Sequence, residues 1–237
     1  MAKLRALLLM GGPDYHNMPF HYAELAGILA GEGGTDLRIT DDLDVLSPSS
    51  LAQFQVIVNW STFIQPRDEQ VQALLSAVEG GTGFLGLHAA SATFWNSMPY
   101  LQMLGSRFIR HDPYKKFTVS IDDRSHPVTA GLDDFEVEDE LYQLSGSAAE
   151  FQALASAINQ QRSLRDAIQS ANQAGEGPLP GDTHVLASAE GHPLLYVKTF
   201  GKGRVQYNAL GHDTKALTNP NYRRLVLQGL NWVTGQV

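Results

Sequence analysis

The sequence contains no cysteine among its 237 residues. This absence excludes disulfide bonds, thiolate metal ligands and cysteine nucleophiles together. Three common motifs are missing as well: the P-loop, a G-x-G-x-x-G fingerprint after the first predicted strand, and the G-x-S-x-G nucleophile elbow. We therefore expect no nucleotide cofactor and no serine hydrolase of the elbow type.

Positive charge is also scarce, with 17 Lys and Arg against 25 Asp and Glu and a formal net charge of −8. An acidic surface repels nucleic-acid phosphates and anionic lipid head groups, so neither is expected as a partner. The apolar run at 6–10 is too short for a signal peptide, and no run approaches the roughly 20 apolar residues that span a bilayer. We predict a cytoplasmic protein with a small-molecule ligand, and the sequence is compatible with a homo-oligomer.

Short apolar runs bounded by turn residues predict the sheet. They indicate strands at 6–10, 36–40, 56–60 and 83–88, and helical spacing predicts helices between several of them. This alternation is typical of parallel pairing in a doubly wound sheet. Further strands are predicted at 117–121 and 140–144, and the strands at 194–200 and 204–210 are predicted to form an antiparallel hairpin on the sheet edge.

Residues 150–182 interrupt this pattern. Phe151, Leu154 and Ile158 keep helical spacing, after which Gln, Asn, Ser and Ala dominate. The segment is too short to hold its own core. We therefore predict one domain over 1–237, with a helical insertion at 150–182.

Histidines follow several predicted strand ends. His88 closes the fourth strand, His16 and His212 follow the first and the last, and His111 lies further on. Ligands of open α/β sheets bind beyond the carboxyl ends of the strands, so these rings are candidates for one site. The small residues around His88 allow a sharp turn that exposes its ring; the alternative is a core histidine bonded to the backbone.

Acidic residues at 136–140 precede the predicted strand at 140–144. We interpret Glu136 and Glu138 as part of a solvated loop and expect Asp139 or Glu140 to point inward. A carboxylate beside neutral imidazoles suits a divalent metal or acid–base chemistry, and both remain open. For a metal, Zn²⁺ or Mn²⁺, the predicted ligands are His88, His111 and His212.

The motifs together resemble a known family. They are GLHAA at 86–90, DELY at 139–142, GKGRV at 201–205 and LGHD at 210–213, with GG at 11–12 and YH at 15–16. Over nearly its whole length the sequence resembles the trehalose-utilisation (ThuA-like) family. The resemblance implies a flavodoxin-like, class I glutamine-amidotransferase-like fold with a mostly parallel sheet. Amidotransferases of this architecture carry a cysteine where His88 stands, so amidotransferase chemistry is not expected.

The family resemblance implies a role in the catabolism of trehalose-related sugars, including keto-disaccharides. We predict an enzyme in which His88, Glu140 and His212 are catalytic. The predicted substrate-binding residues are His16, Tyr15, Tyr142, His111 and Asp213. One alternative is a non-catalytic sugar-binding or regulatory module of the same fold. Another is a serine hydrolase that uses Ser91 or Ser61 with His212 and Asp213.

Overall fold

The computed structural model describes residues 3–13, 16, 18–95, 97–146, 151, 156 and 177–237. The strands are β1 (Arg5–Leu9), β2 (Asp36–Thr40), β3 (Val56–Asn59), β4 (Gly83–Leu87), β5 (Arg107–His111), β6 (Lys115–Ile121), β7 (Phe135–Asp139), β8 (Tyr142–Ser145), β9 (His184–Ala189), β10 (His192–Phe200) and β11 (Gly203–Asn208). The helices are α1 (Pro19–Ala26), α2 (Pro48–Leu51), α3 (Asp68–Glu79), α4 (Met98–Leu104), α5 (Thr214–Leu217) and α6 (Pro220–Val233).

The large sheet has the strand order β2-β1-β3-β4-β11-β10-β9-β6-β7 within the described residues. The first five strands of this order are mutually parallel. Strands β1, β3 and β4 are buried along nearly their whole lengths, as expected for strands covered on both faces. The predicted α/β fold with a mostly parallel sheet is confirmed.

The hairpin of β10 and β11 forms as predicted, but its place in the sheet differs. β11 pairs in parallel with β4, and β10 pairs with β9, so the hairpin lies inside the sheet. The antiparallel hairpin at the sheet edge is formed by β6 and β7 instead. The position of β11 matters for function because it places the residues that follow β4 and β11 side by side.

The prediction of a solvated loop at Glu136 and Glu138 is wrong, because both lie on β7. Their side chains face outward, whereas those of Phe135, Val137 and Asp139 are buried. This alternation, rather than the charge of the segment, determines its structure. The strand predicted at 140–144 begins two residues later, at Tyr142, and pairs with β5 in a separate small sheet.

Helices cover both faces of the parallel strands. α6 lies so close to β11 that a Cβ on Gly229 would stand 2.3 Å from Oε1 of Gln206, so the side-chain amide of Gln206 occupies this space. α3 and α4 pack against each other and against β11. No helix among the described residues is long and apolar enough to cross a membrane. Most of the predicted insertion at 150–182 lies outside the described residues.

Candidate functional site

Three histidines and one glutamate meet beyond the carboxyl ends of the parallel strands. His16 follows β1, His88 follows β4 directly, His212 lies just after β11, and Glu140 stands between β7 and β8. One nitrogen of each ring and one carboxylate oxygen all lie within 4.8 Å of one another. We call these four residues the His/Glu cluster. The parallel order of β1, β3, β4 and β11 accounts for the convergence of the three histidines, since their ends share one edge.

The contacts within the His/Glu cluster are short. Nε2 of His16 lies 2.8 Å from Nδ1 of His212. Nδ1 of His212 is also 3.2 Å from Oε2 of Glu140, and the same oxygen lies 3.6 Å from Nε2 of His88. The four side chains thus direct their potential ligand atoms at one another, and in the metal-free protein a hydrogen joins the ring nitrogens of His16 and His212.

His88 stands on a strained turn. Its backbone has a φ of 42°, in the left-handed region that non-glycine residues seldom adopt. Its ring is fully buried, and Nδ1 lies 2.8 Å from the carbonyl oxygen of Ala209. Because a carbonyl only accepts, Nδ1 carries a hydrogen, and Nε2 is the nitrogen that the ring directs at the cluster. The hydroxyl of Tyr142 lies 2.9 Å from this Nε2.

Buried tyrosine hydroxyls hold the turn that carries His88. Tyr207 donates to the carbonyl oxygen of His88 at 2.9 Å, and Tyr100 donates to that of Ala90 at 2.8 Å. The hydroxyl of Ser91 pairs with that of Tyr207, while the hydroxyl of Ser61 donates to Asn59. Both serines are thus engaged in the core, and the serine-hydrolase interpretation receives no support.

Asp139 connects the end of β7 to the turn that follows β11. Its fully buried carboxylate accepts the backbone N–H groups of Gly211 at 2.7 Å, His212 at 3.2 Å and Glu140 at 2.8 Å. Gly211 has a φ of 119°, which favours glycine at this turn. Burial raises the pKa of Asp139, and the charge of His88 and the three N–H donors oppose that rise.

The members of the cluster shift one another's pKa values. Burial opposes ionisation of Glu140, but hydrogen bonds with His212 and His88 outweigh it and lower the pKa of the carboxyl. Burial also opposes protonation of His212, yet the contact with Glu140 raises its pKa. Burial and the neighbouring imidazoles lower the pKa of His16 to about 2, so this ring is neutral at every physiological pH.

The donor set fits a divalent metal ion. Three imidazole nitrogens and a carboxylate oxygen suit a borderline ion such as Zn²⁺ or Mn²⁺. A hydrogen bond at the other ring nitrogen orients His16, as is usual for metal-binding histidines: its Nδ1 lies 3.0 Å from Oγ1 of Thr62. The predicted ligands were His88, His111 and His212, whereas the group that the structure brings together contains His16 and Glu140 and does not contain His111. His111 is 39% exposed, and its Nε2 lies 3.4 Å from the other oxygen of Glu140.

A cavity of about 170 Å³ adjoins the cluster. Its lining residues are His16, Thr62, Phe63, Ala92, Phe108, His111, Glu140 and Tyr142. His111 and Tyr142 are paired across the small sheet, which brings both to the cavity wall. The sequence did not single out Phe63, Phe108 or Thr62, because a lone aromatic or threonine in a loop carries no periodic signal.

The two remaining predicted substrate-binding residues are Tyr15 and Asp213. Tyr15 is outside the described residues. Asp213 caps α5, since one carboxylate oxygen accepts the N–H groups of Lys215 and Ala216 and the other accepts the hydroxyl of Tyr114. This carboxylate is therefore engaged in holding the helix that follows His212.

Solved structures with this fold are known. A ThuA-like protein from Parabacteroides merdae is 18% identical, with 99% of this chain and 91% of that chain covered and a TM-score of 0.77. A ThuA-like protein from Bacteroides uniformis is 21% identical, with 97% and 91% covered and a TM-score of 0.69. A cytoplasmic protein from Salmonella typhimurium is 13% identical, with 97% and 99% covered and a TM-score of 0.66. At these identities the likeness concerns the fold.

Among curated proteins, none matches the sequence significantly. The model of the ThuA family, described as trehalose utilisation, matches residues 5–233. This match covers almost the whole chain and includes every member of the His/Glu cluster. The chain belongs to the ThuA family.

Proposed function

We propose that this protein is a metal-dependent enzyme of carbohydrate metabolism that acts on a trehalose-related sugar or keto-disaccharide. The observation that carries the proposal is the convergence of His16, His88, Glu140 and His212 beside a cavity. The description of the family, trehalose utilisation, supports a sugar as the ligand. Residence in the cytoplasm is part of the proposal and agrees with the description of the Salmonella protein.

The four residues of the His/Glu cluster would hold a divalent ion such as Zn²⁺ or Mn²⁺. When bound, such an ion acts as a Lewis acid toward a carbonyl or hydroxyl oxygen. His88 is kept in the tautomer that directs Nε2 inward by its bond to Ala209. His16 stays neutral because its pKa is about 2.

Charge and orientation at the site fall to Glu140 and to two residues of the cavity wall. Glu140 is ionised because its histidine contacts lower its pKa, and its carboxylate would stabilise positive charge on the neighbouring imidazoles or on the bound ion. Tyr142 and His111 line the cavity and offer a hydroxyl and an exposed imidazole to sugar hydroxyls. A sugar has many such hydroxyls, so these polar groups would determine its orientation.

Metal content and turnover test the proposal together. The wild-type protein should bind one Zn²⁺ or Mn²⁺ per chain in calorimetry, and His88→Ala and Glu140→Gln should lose this binding. The metal-loaded wild type should convert 3-keto-trehalose, with products followed by NMR, and both variants should not. His184→Ala is a matched control, since His184 is exposed, pairs with Asp123 and belongs neither to the cluster nor to the cavity lining.

The outcomes of these measurements distinguish an enzyme from a non-catalytic sugar-binding protein. Sugar binding without conversion would support a non-catalytic sugar-binding module in place of an enzyme. Turnover that is equal in wild type and His88→Ala would overturn the assigned role of the cluster. Full turnover by the metal-free protein would overturn the proposed dependence on a metal ion.

A further inference from the structure

Phe63 combines two unfavourable features at the mouth of the cavity. Its side chain is 44% exposed, and its backbone φ is 53°. An exposed phenyl ring contributes little to stability, and a left-handed backbone at a non-glycine residue costs conformational energy. An outlier of this kind, in the lining of a cavity, points to a role in binding.

The loop that carries Phe63 is nevertheless held firmly. The N–H of Phe63 donates to the carbonyl oxygen of Ala92 at 3.0 Å, and the N–H of Phe94 donates to that of Ile64 at 3.0 Å. These reciprocal bonds join the loops that follow β3 and β4. The ring of Phe63 also packs edge-on against Trp95, with 5.3 Å between centroids. Phe63 is therefore positioned before any ligand arrives.

Aromatic rings extend from Phe63 to the His/Glu cluster. Phe108 and Tyr142 line the same cavity, and their ring centroids are 4.4 Å apart. The hydroxyl of Tyr142 contacts His88, a member of the cluster. The cavity thus joins apolar ring faces at its wall to polar ligating groups of His16 and Glu140. Sugar rings match this combination, since they present C–H faces as well as hydroxyl edges.

The size of the cavity limits what enters it. Sites for drug-sized ligands usually measure roughly 300–1,000 Å³, whereas this cavity measures about 170 Å³. A disaccharide has the size of a small drug, so the cavity has room for one of its two rings. The other ring would remain outside the cavity.

We infer that Phe63 and Phe108 determine specificity by holding one sugar ring against the His/Glu cluster, with the second ring of a disaccharide outside the cavity. This inference rests on the proposed function, because it names how the same site selects its sugar.

Substitution of Phe63 tests the inference in the metal-loaded protein. With 3-keto-trehalose as substrate, Phe63→Ala should raise KM about tenfold and change kcat less than about twofold, because the ring binds the sugar away from the reacting group. Phe63→Trp should restore KM. Ile39→Ala removes another exposed apolar side chain, on the edge strand β2, and should leave both constants unchanged. Calorimetry should give the same metal affinity for all four proteins.

A monosaccharide provides the second measurement. Glucose should inhibit competitively, with an inhibition constant within about tenfold of the KM for the disaccharide, because one ring makes most of the contacts. Turnover by the wild type with an unchanged KM in Phe63→Ala would overturn the role of Phe63 and leave the proposed function standing. Disaccharide turnover without inhibition by glucose would overturn the single-ring site. Failure of the wild type to bind or convert either sugar would overturn the proposed function itself.

Discussion

The carboxylate of Asp139 accepts the N–H of Gly211 at 2.7 Å and thereby fixes the end of β7 to the turn that follows β11. Glu140 follows the first of these residues directly, and His212 follows the second. Two members of the His/Glu cluster therefore depend on one buried ionisable group that is not among the residues lining the cavity. Its three N–H contacts make Asp139 a positioning residue for the site.

Asp139→Asn should weaken both folding and metal binding. Asparagine keeps one oxygen but directs an amide N–H₂ at backbone donors, which leaves at least one buried N–H unpaired at a cost of about 1–3 kcal/mol. Metal affinity should fall about 10- to 100-fold, as for other groups that orient ligands. Urea unfolding and calorimetry measure the two effects.

Asp213→Asn is the control for this change. Asn and Asp are equally good helix N-caps, so stability and metal affinity should stay near wild type. A weakened sugar affinity in this control would restore the predicted substrate-binding role of Asp213. An Asp139→Asn protein with wild-type metal affinity would contradict the positioning role.

Two buried tyrosines, Tyr207 and Tyr196, allow a loss of protein stability to be distinguished from a loss of His88 positioning. The hydroxyl of Tyr207 contacts the carbonyl of His88 and the hydroxyl of Ser91. The hydroxyl of Tyr196 makes the same two kinds of bond, to the carbonyl of Leu104 and to Ser106. Both side chains are fully buried.

Tyr207→Phe and Tyr196→Phe should therefore destabilise the protein similarly, by about 1–2 kcal/mol each. Only Tyr207→Phe should also lower metal affinity, because only that hydroxyl holds the strained turn of His88. Unfolding curves and metal titrations of the two variants provide the comparison. Equal metal affinities would mean that the turn keeps its geometry without the hydroxyl.

The metal-free protein should lose stability in acid. Burial, together with neighbouring imidazoles, lowers the pKa of His16 to about 2 and that of His21 to about 4. In the unfolded chain both rings regain the usual pKa of 6.5 and bind protons below it. The unfolded state then binds more protons than the folded state, so the free energy of unfolding falls as the pH falls from 6.5 toward 4.

His21→Gln isolates one of these contributions. Glutamine does not titrate, so the dependence of unfolding free energy on pH should become shallower by about one proton between roughly pH 6 and pH 5. Urea denaturation of both proteins across this range gives the slopes. Parallel slopes would show that His21 titrates normally in the folded state.

Short apolar runs were enough to predict the strands around the site. Because β1, β4 and β11 end in turns that carry histidine, their sequence also indicated His16, His88 and His212 as neighbours. Ligands of parallel sheets generally bind at the carboxyl ends of the strands, and this rule can be applied without knowing the strand order. The acidic run before an apolar segment indicated only that Asp139 or Glu140 points inward, and the family resemblance added Glu140 to the site.

Strand order and side-chain direction were not predictable in the same way. The acidic residues at 135–139 suggested a loop, although buried and more exposed side chains alternate along this segment with the period of two that is typical of a strand. The hairpin of β10 and β11 was predicted at an edge because no local pattern shows that β11 pairs with β4. Spacing along the chain also could not distinguish His16 from His111, since the ring that enters the cluster is selected by the turns around it.

Comparison of these two histidines tests the ligand set directly. His16 is 4% exposed and offers Nε2 to the cluster, whereas the His111 side chain is 39% exposed and its Nε2 lies 3.4 Å from the other oxygen of Glu140. His16→Ala should lower metal affinity more than about 100-fold, because it removes a ligand, and His111→Ala less than about tenfold, because it removes only an orienting contact. Calorimetric titration with Zn²⁺ at neutral pH measures both. A larger loss in His111→Ala than in His16→Ala would mean that the metal lies toward the cavity mouth, with His111 as the third imidazole ligand.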